Sequence, residues 1–367
     1  MNTIVKGFRL LILVLGLQTW ALRAQEASGQ HFLWEIKNGN STVYLMGSVH
    51  ALRESDHPLP YLFEEAFSRS SRVVFEVRLS DFSSSRFMQY LDAKATYPRG
   101  EFIYDHVSAE TYGLLESYRR ETGATVGDSL RPWFIALTLT DGSTDAAEFR
   151  ANLGVDFYFY NEAVRRRMRI EGLETAEFQV DILAGLSEAD QEEILRQALL
   201  NRSSGLGDLN ELISYWKTGN TYRMAAALEE SRADNPIFYE RLFDERNHRW
   251  VPALERYLAV AGQVTMVIAG AGHFAGEEGV VRLLRNKGYT VRQLPVIPTR
   301  LRVPKPAAQG GWALDFEVIT GRDYSLQVST DLRTWLERQS LATTNGVARF
   351  IDKPGGPQRF YRLQLLE

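Results

Sequence analysis

The hydrophobic positions between Phe32 and Leu294 fall into short apolar runs separated by longer stretches of helical period. Phe32-Leu33-Trp34-Glu35-Ile36-Lys37 and Val43–Met46 flank Asn38-Gly39, a pattern that predicts a β-hairpin. Pro58 to Ser70 sets Leu59, Leu62, Phe63, Ala66 and Phe67 on one face of a helix. Val73-Val74-Phe75-Glu76-Val77 reads as the next strand. From Ser83 to about Arg232 the pattern is mostly helical, broken by one more strand over Arg169–Glu174. Within it, Asp156 follows Gly154-Val155 and opens a helix rich in aromatic residues, and two amphipathic helices are expected over 188–200 and 209–216. A long helix is predicted from Pro236 to about Ala261, and the apolar run Val264–Ala269 forms a strand. A helix over 277–287, stopped by Gly288, leads to a closing strand over 289–294. This succession predicts an α/β fold: a central β-sheet flanked by many helices.

Beyond Leu294 the pattern changes. Residues 295–311 hold four prolines and Gly310-Gly311 with little apolar periodicity, which reads as a linker. Short strands are expected over 312–319, 324–329, 335–339, 348–351 and 360–365, giving a small all-β, sandwich-like module over 312–367. At the other end, Lys6 and Arg9 precede the apolar core Leu10–Leu17, and Ala21, Ala24 and Ala27 follow. That is the layout of a secretory signal peptide over 1–24, with an N-terminal anchor helix as the alternative. The expected plan is therefore a signal peptide, an α/β domain over 30–294, a linker and the β module.

Composition narrows the class. Of 367 residues, 44% are hydrophobic, and 42 basic residues stand against 46 acidic ones. The net charge of −4 gives no basic excess for a nucleic acid partner. There is no cysteine, so an exported chain of this kind relies on its core rather than on disulfides. The apolar core of the leader is too short to span a bilayer, and no later stretch approaches that length. The expected location is periplasmic or extracellular, with no stable membrane span once the signal is removed. No motif fixes an oligomeric state.

Two runs carry candidate chemistry. Val43–Met46 ends in Gly47-Ser48-Val49-His50, and Val264–Ala269 ends in Gly270-Ala271-Gly272-His273. In open α/β sheets the ligand crevice lies outside the carboxyl ends of the strands. Two strands that each place a histidine just past that end can bring both imidazoles into one crevice, with the glycines leaving room beside it. Neutral imidazole is the commonest side-chain metal ligand, so the pair points to a metal site. Glu76 lies within an apolar run, where a carboxylate is costly unless paired or bound to metal. Strand alternation could equally turn it outward or into a salt bridge. Asp156 also reads as a first-turn acid favoured by the helix dipole, and His248, within Glu245–Trp250, as a surface histidine.

Taken together with the segments between them, the two motifs resemble the TraB/GumN family, which includes the Tiki-type metalloproteases. The resembling pieces are Leu33-Trp34-Glu35-Ile36, Tyr44–His50, Val74–Val77, Leu153-Gly154-Val155-Asp156, Gly172-Leu173-Glu174-Thr175 with Gln179, Arg246-Asn247 and Gly270–Gly276. The resemblance implies an α/β fold and a site built from His50, His273 and Glu76. For some members it implies hydrolysis of peptide bonds with a divalent ion such as manganese, cobalt or zinc; for others it implies binding or signalling without a known reaction. His50, His273 and Glu76 would supply two nitrogens and one oxygen and leave a position open for water. Glu76 could instead be the general base. Arg246 could stabilise the oxyanion and Asn247 orient a ligand, or the two could form an inter-helix network. The expected function is an exported metal-dependent hydrolase acting on a peptide or protein. The alternative is a non-catalytic binding protein of the same fold.

Overall fold

The computed structural model describes residues 30–139, 148–200, 205–295, 300–301, 304–307, 310–318, 323–342, 347–353 and 359–365. Residues 1–24, where the sequence suggests a signal peptide, lie outside them. The chain divides into two compact units, Met1–Leu294 and Pro295–Glu367.

The first unit is built on a six-stranded sheet: β1 (Gln30–Asn38), β2 (Ser41–Ser48), β3 (Arg72–Phe75), β4 (Arg169–Gly172), β5 (Val264–Gly270) and β6 (Val291–Pro295). Its spatial order is β4-β3-β5-β2-β1-β6. β1 and β2 form the expected antiparallel hairpin, with Gly39 at φ +55 in the turn, a conformation that suits glycine. The four strands β2, β5, β3 and β4 run parallel, with Ser48 opposite Gly270, Ile268 opposite Phe75, and Phe75 opposite Gly172. Val43, Leu45, Met46, Val73, Val74 and Met266–Ala269 are almost fully buried. Burial on both faces explains why these strands read as continuous apolar runs rather than alternating ones.

Helices supply the cover. Tyr61–Arg69 buries Phe63, Ala66 and Phe67, and the Phe67 ring meets Phe159 of the helix Val155–Arg165 at 4.9 Å between centroids. Trp250, Val251, Leu254 and Leu258 pack the helix Glu245–Leu258 into the same core. A second core joins Phe87, Leu91, Trp133, Phe134, Val180 and Leu183 among the central helices. Among the described residues, no helix is long and apolar enough to cross a membrane.

Two boundaries differ from the sequence reading in ways that matter for the site. β3 stops at Phe75, so Glu76 is the first residue past the strand and not a member of it. The helix expected from Pro236 is interrupted: an α segment, Pro236–Tyr239, passes through a π turn, Glu240–Asp244, before Glu245–Leu258. Such turns shift the phase of the residues that follow, a register change that apolar periodicity does not reveal.

The second unit holds a three-stranded sheet of β10 (Asp323–Ser329), β11 (Leu336–Ala342) and β13 (Phe360–Leu365). Its other sheet joins β7 (Arg300–Leu301), β8 (Lys305–Pro306), β9 (Trp312–Glu317) and β12 (Val347–Asp352). Leu314, Phe316, Leu326, Leu341 and Ala348 form a core with residues from both sheets. β7 and β8 arise within the segment expected as linker, because their backbones pair with β9 despite the prolines. Proline at a strand edge loses no ladder bond.

Candidate active site

The carboxyl ends of the four parallel strands each deliver one polar side chain to the same place. His50 lies two residues past β2, Glu76 one past β3, Glu174 two past β4 and His273 three past β5. Main-chain bonds pin the connecting loops: Leu173 N–H donates to Phe75 O at 2.9 Å and Glu174 N–H to Glu76 O at 3.0 Å. Val155 N–H donates to Val49 O at 3.0 Å, which seats the start of the Val155–Arg165 helix against His50.

Gly270 is the floor. A Cβ there would lie 3.3 Å from Glu76 Oε1, 3.6 Å from His273 Cδ2 and 3.7 Å from His50 Nε2, so the three side chains surround the space that glycine leaves. Gly47 does something else. Its missing Cβ makes room for Phe32 and Ala271 in the core, not for the site.

Each imidazole is oriented through Nδ1. The His50 Nδ1–H donates to Asp156 Oδ2 at 2.8 Å, while Ser48 Oγ–H holds Oδ1 at 2.8 Å. The His273 Nδ1–H donates to Asn247 Oδ1 at 2.7 Å, and Asn247 Nδ2 is committed to Glu278 O at 2.9 Å. Both rings therefore offer Nε2 toward the crevice. An oxygen partner at the opposite ring nitrogen is the usual way a protein fixes the tautomer of a ligating histidine. The two rings differ in charge. Burial, followed by the nearby Arg246 charge, holds His273 down at about 3, so it is neutral. At His50 burial also opposes charge, but Asp156 outweighs it and the ring is raised to about 9.

Arg246 ties the floor together. Its Nε donates to Glu174 Oε1 at 3.0 Å, Nη2 to Glu174 Oε1 at 2.5 Å and to Glu76 Oε2. Nη1 donates to Leu242 O in the π turn at 3.0 Å and to His273 Nε2 at 3.1 Å. All five N–H groups thus have partners, and none is left over for an oxyanion in this arrangement. Glu76 is equally committed, accepting from Gly270 N–H at 2.7 Å, from Gln179 Nε2 at 3.2 Å and from Arg246. Burial alone would raise its pKa, but Arg246, His273 and His50 hold the carboxyl well below the usual range. Such a carboxylate is a poor general base at neutral pH. Trp250 Nε1 donates to Glu174 Oε2 at 3.0 Å and completes the network.

His248 lies outside this cluster, exposed and bonded to Glu278 at 2.8 Å. The sequence reading gave Asp156 only a first-turn role and placed Glu174 and Gln179 only among the segments that carry the resemblance. Their signals were Gly154-Val155-Asp156, whose acid lies in the first turn of its helix, and Gly172-Leu173-Glu174-Thr175, just ahead of the helix that Thr175 caps. Among the described residues, no three His, Cys, Asp or Glu side chains stand arranged as a ready metal-binding group. Arg246 Nη1 takes the lone pair that His273 would otherwise give.

A model of the TraB/PrgY/gumN family matches residues 32–293. The chain belongs to the TraB/PrgY/gumN family. Among its family relatives, it is 25% identical to metalloprotease TIKI1 of Danio rerio over 317 residues, spanning 72% of this chain and 63% of that protein. To human metalloprotease TIKI1 it is 24% identical, spanning 75% and 64%. The uncharacterized protein YbaP of Escherichia coli (strain K12) is 24% identical over 70% of this chain and 94% of its own length. The chain thus covers less than two thirds of the TIKI1 proteins but nearly all of YbaP. No solved structure matches it.

Proposed function

We propose that the chain hydrolyses peptide bonds at the crevice over Gly270, with a divalent ion held by Nε2 of His50, Nε2 of His273 and the Glu76 carboxylate. The observation that carries this reading is the paired orientation: two imidazoles from separate strands, each fixed through Nδ1, present Nε2 around one glycine floor. The donor set fits a divalent ion of the manganese, cobalt or zinc kind in chemistry, two neutral nitrogens and one oxygen. The fit requires Arg246 to give up His273 Nε2 and His50 to give up its Nε2 proton. When bound, such an ion polarises a carbonyl and lowers the pKa of water.

The chain's own residues do the rest. Asp156 and Asn247 hold the two rings in register. Glu174 keeps the Arg246 guanidinium in place against a carboxylate in a buried setting. Once freed from His273, Arg246 Nη1 becomes a donor available to charge developing on a carbonyl oxygen. Glu76, strongly acidic and triply hydrogen-bonded, serves as a fixed negative charge rather than as the proton acceptor.

The test is cleavage of an unstructured protein in added manganese, cobalt or zinc, together with elemental analysis. His50→Ala and His273→Ala should each lose metal and activity, by roughly 100-fold or more. Wild-type metal content and cleavage in both variants would refute the shared site. A second reading, a ligand-binding protein without turnover, draws on one observation: the Arg246 bridge already satisfies His273 and Glu76. It expects no turnover with any of the three metals, yet ligand affinity that depends on the same histidines.

A further inference from the structure

The crevice over Gly270 is the polar end of a larger cavity of about 460 Å³ within the first unit. That is the size of a small-molecule site, for which ~300–1,000 Å³ is typical, and too large for a packing defect. Its walls come from several elements: Val77, Leu79 and Phe82 after β3, Ile182 and Leu183 of Ala176–Ala184, and the helices Gly205–Lys217 and Thr221–Asp234. The π turn adds Leu242 and Phe243. The polar side chains of the lining gather at one end, where Ser48, His50, Glu76, Asp156, Gln179, Arg246 and His273 meet. The remaining wall is mostly aliphatic and aromatic, with Ser83, Glu211, Ser231 and the hydroxyls of Tyr215 and Tyr239 as polar members among the described residues. Tyr215 OH donates to Glu211 Oε1.

Phe243 joins the two ends. Its ring lies 5.0 Å from that of His273, and its Cε1 fills the space beside Gly272, where a Cβ would come within 2.8 Å. A group seated on Phe243 is therefore next to the proposed reaction centre. The charge at the polar end selects among apolar ligands. Three carboxyl groups, those of Glu76, Glu174 and Asp156, gather there, and the Arg246 guanidinium is already shared between two of them. With no ion bound, an anionic headgroup such as a fatty acid carboxylate faces those carboxyl groups, whereas a neutral amide brings no charge of its own.

We infer that the substrate is a peptide segment with bulky apolar side chains next to the reacting amide, those side chains lying in the cavity between Phe243 and the helix Thr221–Asp234. This rests on the hydrolase reading for the reaction and stands on the cavity alone for the ligand class. Ala227, on that helix, is a small member of the wall and the place to narrow the cavity without touching the polar end.

The experiment uses the full chain with added manganese, cobalt or zinc and has two arms. In the first, fragments of a digested unstructured protein are mapped, and matched peptides with Leu or Phe replaced by Asp beside the cut are compared. In the second, displacement of the neutral dye N-phenyl-1-naphthylamine by apolar peptide amides is measured for the wild type and for Ala227→Met, each first shown to be folded by its thermal transition. The expected results are cuts flanked by large apolar residues, a loss on the order of 100-fold in kcat/KM for the Asp peptides, and dye and peptide binding weakened about tenfold in Ala227→Met. Cleavage without apolar preference overturns the inference while leaving the hydrolase standing. Absence of cleavage with amide-displaced dye overturns the hydrolase and supports the ligand class. Dye that does not bind, or that fatty acids displace better than amides do, overturns the ligand class.

Discussion

Gly270→Ala separates the site from the fold more cleanly than any change to a ligating side chain. The new methyl group would enter the space ringed by Glu76 Oε1 at 3.3 Å, His273 Cδ2 at 3.6 Å and His50 Nε2 at 3.7 Å. Only the first contact is tighter than ordinary van der Waals distance, and Glu76 must yield by a few tenths of an ångström. Held by Gly270 N–H, Gln179 and Arg246, it yields at a cost of about 1 kcal/mol, the scale of an off-rotamer side chain. Replacing glycine by alanine lowers the entropy of the unfolded chain, a stabilisation of about 0.4–1 kcal/mol. The two nearly cancel, so the thermal transition should move by less than ~4 °C. Function should not survive as well, because the methyl group lies where anything shared by the two imidazoles must sit. A displacement of ~1 Å in a reacting group can lower the rate ~100-fold. The assay pairs a thermal melt with elemental analysis and cleavage of an unstructured protein. Gly47→Ala is the control for folding, since its Cβ would meet Phe32 Cδ1 at 2.5 Å and the Ala271 backbone at 3.2 Å and should lower the transition itself. A folded Gly270→Ala protein with unchanged metal content and cleavage shows that the chemistry is elsewhere.

Three further outcomes are expected. His273, lowered to about 3 from an ordinary 6.5, contributes stability that is lost as pH falls from 6.5 toward 3, because only the unfolded chain takes the proton there. His50, raised to about 9, contributes stability that is full below 6.5 and lost as pH rises through 9. Urea unfolding across pH should thus give a maximum near 6.5, with the alkaline limb shallower because His50 is 34% exposed; a flat profile refutes the charge assignment. Glu174→Gln leaves buried Arg246 facing only Glu76 and should destabilise by about 3 kcal/mol in urea titration, with cleavage lost as well; a change below ~1 kcal/mol would mean that Arg246 is held by other contacts. A chain ending at Thr299 should keep the thermal transition and metal content of the first unit, since the two compact units meet at Pro295; loss of metal binding would place the boundary elsewhere.

What could be read from the sequence was what local pattern encodes. The hairpin at Asn38-Gly39 and the buried runs of β2 and β5 follow from turn chemistry and apolar continuity, and both histidines stand out because each follows such a run. Glu76 was singled out for its apolar neighbours, yet alternation cannot say where a strand stops, and the single residue between member and successor decides which way it faces. Arg246 meets Glu174 across 72 positions and Glu76 across 170. No periodicity links residues so far apart. The π turn rotates Arg246, Asn247 and Trp250 toward the sheet by a register change invisible to a hydrophobic pattern. Asp156 and Glu174 were noted without a part in the site for the opposite reason: Asp156 has a sufficient local explanation as an acid in the first turn of its helix, and Glu174 lies in a turn where nothing local requires a carboxylate.

The place of β5 in the sheet has a consequence for how the chain is made. β5 is the fifth strand in sequence but lies between β3 and β2, so the ribosome delivers the central strand after its two neighbours. Until Val264 emerges, the β1–β2 hairpin and the β3–β4 pair each present an apolar edge with no partner. Such edges invite pairing with other chains, and closing the gap across some two hundred residues is slow by comparison with local folding. No fragment that ends before Val264 can hold the complete site, because His273 and the Gly270 floor arrive on the inserting strand. A nascent chain that stops short of His273 therefore lacks both the second imidazole and the strand that closes the sheet.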